Sequence, residues 1–305
     1  MSTRALPQVL FVGTAKAGTT TIERALSQHP AIGLPRKETF YFDHEHMGLG
    51  RLSYPQQRHA HTVVSNEAEY RSLYASFADR TCVEVGTGYL YHHATAIPRI
   101  KQVLGEAVRI GMVLRDPVER TWSGYMHFVK DLHEPLDFRA ALVAESERKA
   151  AGWDFMWHHM AMSRYADQVR AYTDAFTSTR VFFFEDLRND QHSFLHAVCN
   201  FAEVDPALLP NDPDAHNPGG VAKNRTLQKL ITRENPIKSI VRPIARMLFP
   251  KEKLKQARKY MKSRNLERGE GLPPEDRAWL KEQLHADVQQ LGRLLNLDLF
   301  AKWNW

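Results

Sequence analysis

Cysteine is scarce in this chain, since its 305 residues contain only Cys82 and Cys199. Two cysteines are too few for a disulfide framework, and both stand among apolar neighbours, so we expect buried free thiols and a reducing compartment. Long apolar runs are also missing. Nowhere do eighteen apolar residues follow one another, and the apolar run within Met1–Gly13 is too short for a signal peptide. The sequence therefore predicts a cytoplasmic protein without a transmembrane segment.

The formal net charge of +6 is unevenly distributed along the chain. Residues 221–270 hold fifteen Lys or Arg against four Asp or Glu, and the remainder is net acidic. Such a segment would attract a polyanionic cofactor, an acidic acceptor or an anionic membrane surface, and a solvated helical face is the simpler alternative. Aromatic residues are not interleaved with these charges as in a nucleic-acid stacking platform, so nucleic acid is not expected as a partner.

Short apolar segments alternate with amphipathic segments of ten to fifteen residues, which is typical of right-handed β-α-β crossovers and a parallel sheet. The apolar fraction of 43% is enough for a substantial core, and no linker interrupts the first two hundred residues. We expect one domain over residues 1–305, an α/β three-layer sandwich with its nucleotide-binding core at about 8–205 and a basic helical extension at about 221–305. The expected strands are 9–13, 31–35, 81–85, 108–114 and 180–184.

Helix signals separate these strands. Asp116, Pro117 and Glu119 predict an N-cap, a first-turn proline and a reciprocal capping partner for a helix that runs through Phe128. Pro, Gly and Asn mark a long loop at 211–224, after which we expect three helical segments. The other expected helices begin near Thr19 or span 67–78, 92–104, 138–149, 163–176 and 191–201, and the last one starts at Pro273-Pro274-Glu275.

The stretch from Val9 to Gln28 combines a buried strand, a glycine-flanked loop and an amphipathic helix. Gly13 and Gly18 allow a sharp turn, and the free amides that open the helix point towards an anion above the strand. The glycine spacing matches the start of a Walker A loop, but Thr19 stands where that motif has lysine, and Lys16 lies inside the loop. The pattern favours a nucleotide with a single 5′-phosphate group in the loop.

Two segments resemble the sulfotransferases that use 3′-phosphoadenosine 5′-phosphosulfate (PAPS). Val12–Thr21 (VGTAKAGTTT) is similar to their 5′-phosphosulfate loop, and Arg109–His127 (RIGMVLRDPVERTWSGYMH) to their 3′-phosphate motif. Lys37–Asp43 (KETFYFD) resembles a segment of the heparan sulfate 3-O-sulfotransferases, with Glu84–Leu90 (EVGTGYL) a looser likeness. The resemblance implies a P-loop-like fold, PAPS as donor, 3′-phosphoadenosine 5′-phosphate (PAP) as product, and a carbohydrate or small-molecule hydroxyl as acceptor.

The resemblance also assigns roles to individual residues. Lys16 would meet the 5′-phosphate oxygens as charge develops there, while Arg115 and Ser123 would hold the 3′-phosphate. Lys223 and Arg225 would complete the nucleotide pocket as a basic loop. The further residues expected at the 5′-phosphosulfate are Ala17, Gly18, Thr19 and Thr20. No metal is expected, because the sulfuryl group carries a single negative charge.

The expected general base is Glu38, which aligns with the catalytic glutamate of the resembled 3-O-sulfotransferases. His127 and His44 are the rival candidates. The chain departs from these relatives at Val85, where they carry a lysine near the acceptor. His44 and His46 form a His-x-His pair that could bind metal, but no third ligand is spaced nearby and a solvated loop is the favoured expectation. The pairs His92-His93 and His158-His159 are expected at the surface or its boundary.

Two other functions stay open for this sequence. A P-loop nucleotide kinase or NTPase would need magnesium, and Thr19 in place of the Walker lysine speaks against it. A non-catalytic nucleotide-binding module would bind PAP without turning over any acceptor.

Overall fold

The computed structural model describes residues 6–36, 38–47, 63–210 and 271–305, together with the backbone at 221–222 and 266–267. Five short strands form a sheet in which every pairing is parallel. They are β1 (Val9–Gly13), β2 (Ile32–Gly33), β3 (Thr81–Val85), β4 (Arg109–Leu114) and β5 (Thr179–Phe183). A second, antiparallel pair consists of β6 (Val221–Ala222) and β7 (Leu266–Glu267), so the predicted loop at 211–224 contains a short strand at its end.

Helices connect the strands as the alternating pattern predicts. They are α1 (Thr19–Ser27), α2 (Glu67–Tyr74), α3 (His93–Leu104), α4 (Pro117–Lys130), α5 (Phe138–Val143), α6 (Glu145–Ala150), α7 (Ala166–Ala175), α8 (Phe184–Asn189), α9 (Gln191–Phe201), α10 (Pro274–Leu295) and α11 (Leu299–Trp303). Short 3-10 turns lie at Tyr41–Met47, Ala75–Phe77, Phe155–Trp157, Ala161–Ser163 and Pro206–Leu208.

The strand order is β2-β3-β1-β4-β5, which puts β1 in the middle of the sheet. Alternate residues of β1 face opposite sides because side chains alternate along a strand. Leu10 and Val12 belong to a core cluster with α2, α3, α7 and α10, and Val9 and Phe11 to a second cluster with α1 and α9. Helices therefore cover both faces of the sheet, and the predicted three-layer α/β sandwich is confirmed.

The turn from β4 into α4 has the predicted N-cap and first-turn proline but a different capping partner. Asp116 is the N-cap, because its Oδ1 accepts the amide of Val118 at 2.9 Å, and Pro117 is the first helical residue. The predicted reciprocal cap from Glu119 is wrong. The amide of Asp116 donates instead to Glu185 at the start of α8, while the carboxylate of Glu119 pairs with Arg277 of α10.

Two tryptophans of the C-terminal segment close over this turn. The indole N–H of Trp305 donates to Oδ1 of Asp116 at 3.3 Å, and that of Trp303 donates to Oε2 of Glu185 at 3.2 Å. Burial of the Asp116 carboxyl raises its pKa to about 6. The last residues of the chain thus contact the end of β4 directly.

Helix boundaries differ where a distant side chain supplies the cap. The helix expected over 163–176 begins at Ala166, because the carboxylate of Asp287 in α10 accepts the amides of Tyr165 and Ala166. The helix expected over 138–149 is divided at Ala144 into α5 and α6. α10 begins at Pro274, as predicted, but it is not the last helix, because α11 follows at Leu299–Trp303.

Glu84 of β3 is fully buried in the core, with 0% of its surface exposed. Its carboxylate accepts hydrogen bonds from Thr39 Oγ1 at 2.5 Å, Tyr70 OH at 2.6 Å and Tyr89 OH at 2.7 Å, with Tyr74 OH at 3.4 Å. Burial raises the pKa of Glu84, and the hydroxyl donors oppose that rise. This network fixes the segment that follows Glu38, because Thr39 is one of its donors.

Replacing Glu84 by leucine should strongly destabilise the protein. The substitution leaves buried hydroxyl donors without an acceptor, and each of these costs roughly 1–3 kcal/mol. We expect the free energy of unfolding, measured by urea denaturation, to fall by at least about 3 kcal/mol. The matched control is Glu106→Leu, whose exposed side chain pairs only with Lys101. Equal losses in both variants would contradict a special role for the Glu84 network.

Candidate functional site

The loop between β1 and α1 turns where the sequence predicts. Gly13 and Gly18 have φ values of 153° and 89°, and Lys16 between them is also left-handed at 73°. A Cβ on Gly18 would lie 2.5 Å from Leu187, so backbone angle and space both require glycine there. Gly18 is the N-cap residue of α1 and has no side chain to accept a hydrogen bond from the helix. The first helical amides therefore face the loop. This arrangement is suited to an anion.

Arg115 follows β4, the neighbour of β1, and reaches the loop from the side. Its Nη1 donates to the carbonyl of Lys16 at 3.2 Å, and its guanidinium lies 4.7 Å from the ring centre of Phe184. Glu119 is 3.6 Å from Nη2, so Arg115 also has an acidic neighbour. Burial lowers the pKa of Arg115, and nearby acids, Glu119 first, raise it. The arginine remains charged and directs positive charge at the loop.

Ser123 lies on α4, partly buried, four residues after Glu119 and eight after Arg115. Residues four apart share one face of a helix, so Ser123 continues the row that starts beside Arg115. His127, the rival base, lies a further four residues along the same face and is also partly buried. The predicted pairing of Arg115 and Ser123 at one end of α4 is therefore consistent with the helix geometry.

Glu38 lies at the same edge of the sheet. Its amide donates to the carbonyl of Val85 at 3.2 Å, at the end of β3, and its φ is 58°. Because β3, β1 and β4 are adjacent, Glu38, Lys16 and Arg115 lie beyond the carboxyl ends of three neighbouring strands. Open α/β sheets bind ligands at this edge.

Arg120 is a buried residue of this site that sequence reasoning missed. It is 0% exposed, and its guanidinium donates to the carbonyls of Ala15 and His159, to Ser163 Oγ and to Met162 Sδ. Burial lowers the pKa of Arg120 to about 10, so it stays charged at neutral pH. Its hydrogen bond to the carbonyl of Ala15 ties α4 to the loop between β1 and α1. The available signal was a charged residue on the apolar face of α4, four residues before Gly124.

The other predicted residues lie further away or outside the described part of the chain. Nδ1 of His44 has two neighbours within hydrogen-bond distance, the Tyr41 carbonyl at 2.8 Å and Nη1 of Arg99 in α3 at 2.7 Å, and it can donate to the first or accept from the second. Lys223 and Arg225 lie outside the described residues, as does nearly all of the basic segment 221–270. Across residues 6–36, 38–47, 63–210 and 271–305, no group of three or more His, Cys, Asp or Glu side chains could hold a metal ion.

A model of the sulfotransferase family matches residues 7–207, which is more than half of the chain. The chain belongs to the sulfotransferase family. The "Membrane-associated sulfotransferase kil1" of Dictyostelium discoideum is 28% identical over 123 residues, which cover 40% of this chain and 23% of that protein. None of the helices in the described part of the chain is long and apolar enough to cross a membrane.

Solved structures agree with the family. The crystal structure of a sulfotransferase from Alicyclobacillus acidocaldarius matches this sulfotransferase with a TM-score of 0.73 and 25% identity, over 99% of this chain and all of that one. A mouse sulfotransferase solved with PAP overlaps over 86% of this chain with a TM-score of 0.40 and 14% identity, too distant a likeness to carry an argument.

Two histidines of this sulfotransferase contradict their prediction as surface or boundary residues, because His158 and His159 are 5% and 0% exposed. His92 lies at the boundary as predicted, with a side chain that is 10% exposed. Burial lowers the pKa of His92 and of His158 to about 3, and that of His159 well below its usual value. The apolar residues that bury them are distant in sequence, so local patterning could not reveal it.

The depressed pKa of His158 should make the protein sensitive to acid. In the unfolded chain His158 takes up a proton near pH 6.5, but in the folded chain only near pH 3. The contribution of neutral His158 to the free energy of unfolding is therefore complete above pH 6.5 and is lost as the pH falls towards 3. We expect wild type to lose about 2 kcal/mol more than His158→Leu between pH 7 and pH 5, measured by urea denaturation. His192→Leu, at an exposed position on α9, is the control. Parallel losses in wild type and His158→Leu would exclude this assignment.

Proposed function

We propose that this sulfotransferase moves the sulfuryl group of PAPS to a hydroxyl of a carbohydrate or small-molecule acceptor by in-line displacement. One observation carries the proposal: Glu38, Lys16 and Arg115 lie beyond the ends of three neighbouring strands. Two cationic side chains beside a helix N-terminus suit the phosphates of a nucleotide. A carboxylate at the same edge suits an acceptor proton.

The residues around the loop fit a nucleotide with phosphates at two positions. The helix start without a side-chain cap offers the amides of Ala17, Gly18, Thr19 and Thr20 to the 5′ end, together with Lys16. Arg115 and Ser123 would hold the 3′-phosphate, with Lys223 and Arg225 as further candidates. When bound, PAPS supplies a sulfuryl group activated by its bond to the 5′-phosphate.

The chain's own groups account for the remaining steps. The Glu38 carboxylate would accept the proton of the acceptor hydroxyl. A backbone hydrogen bond to Val85 holds Glu38 at the end of β3, which positions it for this role. The Lys16 ammonium would stabilise the negative charge that grows on the 5′-phosphate as the sulfuryl group leaves, while the Ser123 hydroxyl would keep the nucleotide in place through its 3′-phosphate. Arg120 would act on this chemistry only indirectly, by holding the carbonyl of Ala15.

We also propose that residues 1–305 form one domain in the cytoplasm. The packing of α10 on α4 and α7 supports a continuous domain. The cytoplasmic location is supported by Cys82 and Cys199, which are buried free thiols whose pKa values burial raises to about 11. Contact with a membrane surface through the basic segment 221–270 is a further proposal, and that segment lies almost entirely outside the described residues.

PAP should raise the melting temperature more than AMP or ADP does. A ligand at one hundred times its dissociation constant stabilises the folded state by about 2.7 kcal/mol, and only PAP carries the 3′-phosphate. Arg115→Gln and Ser123→Ala should reduce the preference for PAP, whereas Arg71→Gln on α2 should leave it unchanged. Equal stabilisation by all three nucleotides would refute the 3′-phosphate site. Magnesium-dependent stabilisation by ATP alone would favour a kinase or NTPase.

Glu38→Gln should lower kcat by roughly two to four orders of magnitude with little change in PAP affinity, because the amide keeps the shape and cannot accept the proton. The measurement is turnover of an acceptor found by screening with labelled PAPS and mass spectrometry. Glu69→Gln, at an exposed position on α2, is the matched control. If Glu38→Gln stays active while His127→Ala or His44→Ala does not, the base is one of these histidines. If the chain binds PAP but modifies no acceptor, it is a nucleotide-binding module.

A further inference from the structure

A cavity of about 530 Å³ opens where α3 and α7 begin. We name it the histidine cavity after His46, His92, His93 and His158, which lie in its lining. In a parallel α/β sheet the helices that lead back to the next strand begin at the carboxyl edge. The cavity is therefore on the same edge of the sheet as Glu38 and the β1–α1 loop.

The histidine cavity shares a wall with the catalytic edge. Its lining residues Tyr91, Trp153 and Phe155 also pack in the cluster that contains Ala15 of the loop and Phe40. The rings of Phe40 and Phe155 are 6.3 Å apart, and Phe40 is two residues from Glu38. A ligand in the cavity would thus lie one layer of side chains away from the proposed base.

Several polar atoms in the lining have no partner. Among the described residues, Tyr91 OH, His93 Nδ1, both ring nitrogens of His158 and Gln168 Oε1 are buried without a hydrogen bond. Only 5% of the surface of His158 is exposed. The orientation of Gln168 is fixed, because its Nε2 donates to the carbonyls of Ala161 and Arg164. Unsatisfied buried polar atoms are costly, and these atoms expose almost no surface to the open cavity. A ligand would therefore satisfy them when the rings of Tyr91 and His158 turn towards it.

The groups that face the cavity are mostly uncharged. Burial lowers the pKa of His158 to about 3 and raises that of Tyr91 to about 12, so at neutral pH the first is a neutral imidazole and the second a phenol. Each can both donate and accept a hydrogen bond, as a hydroxyl group does. The charged residues in the lining sum to zero net charge, because Lys149 and Arg164 are balanced by Glu45 and Asp167.

Aromatic faces complete the lining. Tyr91, Trp153 and Phe155 are joined by His46 and His92, whose rings stack at 4.3 Å. Binding pockets of this type combine apolar faces with a few polar groups that set orientation. The C–H faces of a sugar ring fit the aromatic rings, and its hydroxyls fit donors and acceptors of mixed kind.

We propose that the histidine cavity binds an uncharged sugar ring of the acceptor, an inference that rests on the proposed sulfotransferase function. A polyanionic glycan does not fit it, because the neutral groups of Tyr91, His158 and Gln168 offer no net positive charge. The valine at position 85, where the resembled glycan sulfotransferases carry lysine, agrees with an uncharged acceptor.

Binding of free sugars tests this proposal without any turnover. Saturation-transfer NMR and calorimetry would be run on the full chain with uncharged methyl glycosides and disaccharides and with the matching uronic acids. We expect at least one uncharged sugar to bind and the uronic acids to bind more weakly. No binding by any uncharged sugar at millimolar concentration, or a preference for the uronic acids, would overturn the proposal and leave water as the occupant.

Two variants test the residues. Tyr91→Phe and His158→Leu should each weaken sugar binding at least tenfold, while the melting temperature stays equal or rises because an unsatisfied buried group has been removed. His192→Leu on α9 should change neither. Unchanged sugar affinity in both cavity variants would refute the site. Stabilisation by PAP, measured in the same samples, should be unaffected, so a failure of the sugar site is distinguished from a failure of nucleotide binding.

Discussion

The parallel pairing of β1 with both β3 and β4 is the constraint on which the site depends. The carboxyl ends of parallel strands lie at one edge of the sheet, so the segments that carry Glu38, Lys16 and Arg115 meet there although they are distant in sequence. Local structure then suffices to position each side chain. Glu38 is held by a backbone bond to β3, Lys16 by the turn after β1, and Arg115 by its position after β4.

Two buried ionisable residues support this edge. Glu84 accepts hydrogen bonds from hydroxyl groups beneath the segment of Glu38, and Arg120 donates to acceptors beside the loop. A buried ionisable group is stable only when its hydrogen-bonding capacity is met, so each of the two fixes several segments at once. Glu84 and Arg120 themselves are well supplied with hydrogen-bond partners, in contrast to the unsatisfied atoms in the lining of the histidine cavity.

Much of the fold was predictable because its signals are local. β1, β3 and α9 have the predicted bounds, since apolar runs and helical periodicity lie within each segment. The start of α7 was not predictable, because its cap is Asp287 in a distant helix. For the site, glycine spacing and strand ends located Lys16 and Arg115. Arg120 had a local signal as a charged residue on the apolar face of α4, but its acceptors Ala15, His159 and Ser163 come from distant segments. The burial of His158 depends entirely on residues that are brought together by folding, so sequence patterning could not predict it.

The hydrogen bonds of Trp303 and Trp305 have a consequence for how the site is assembled. Their acceptors, Glu185 and Asp116, lie just beyond the ends of β5 and β4, so residues 303–305 connect two neighbouring strand ends. Because the two indoles are remote in sequence from both strands, the β4–α4 turn is closed only when a long-range contact forms. This edge of the sheet is therefore completed by tertiary folding rather than by the strands alone.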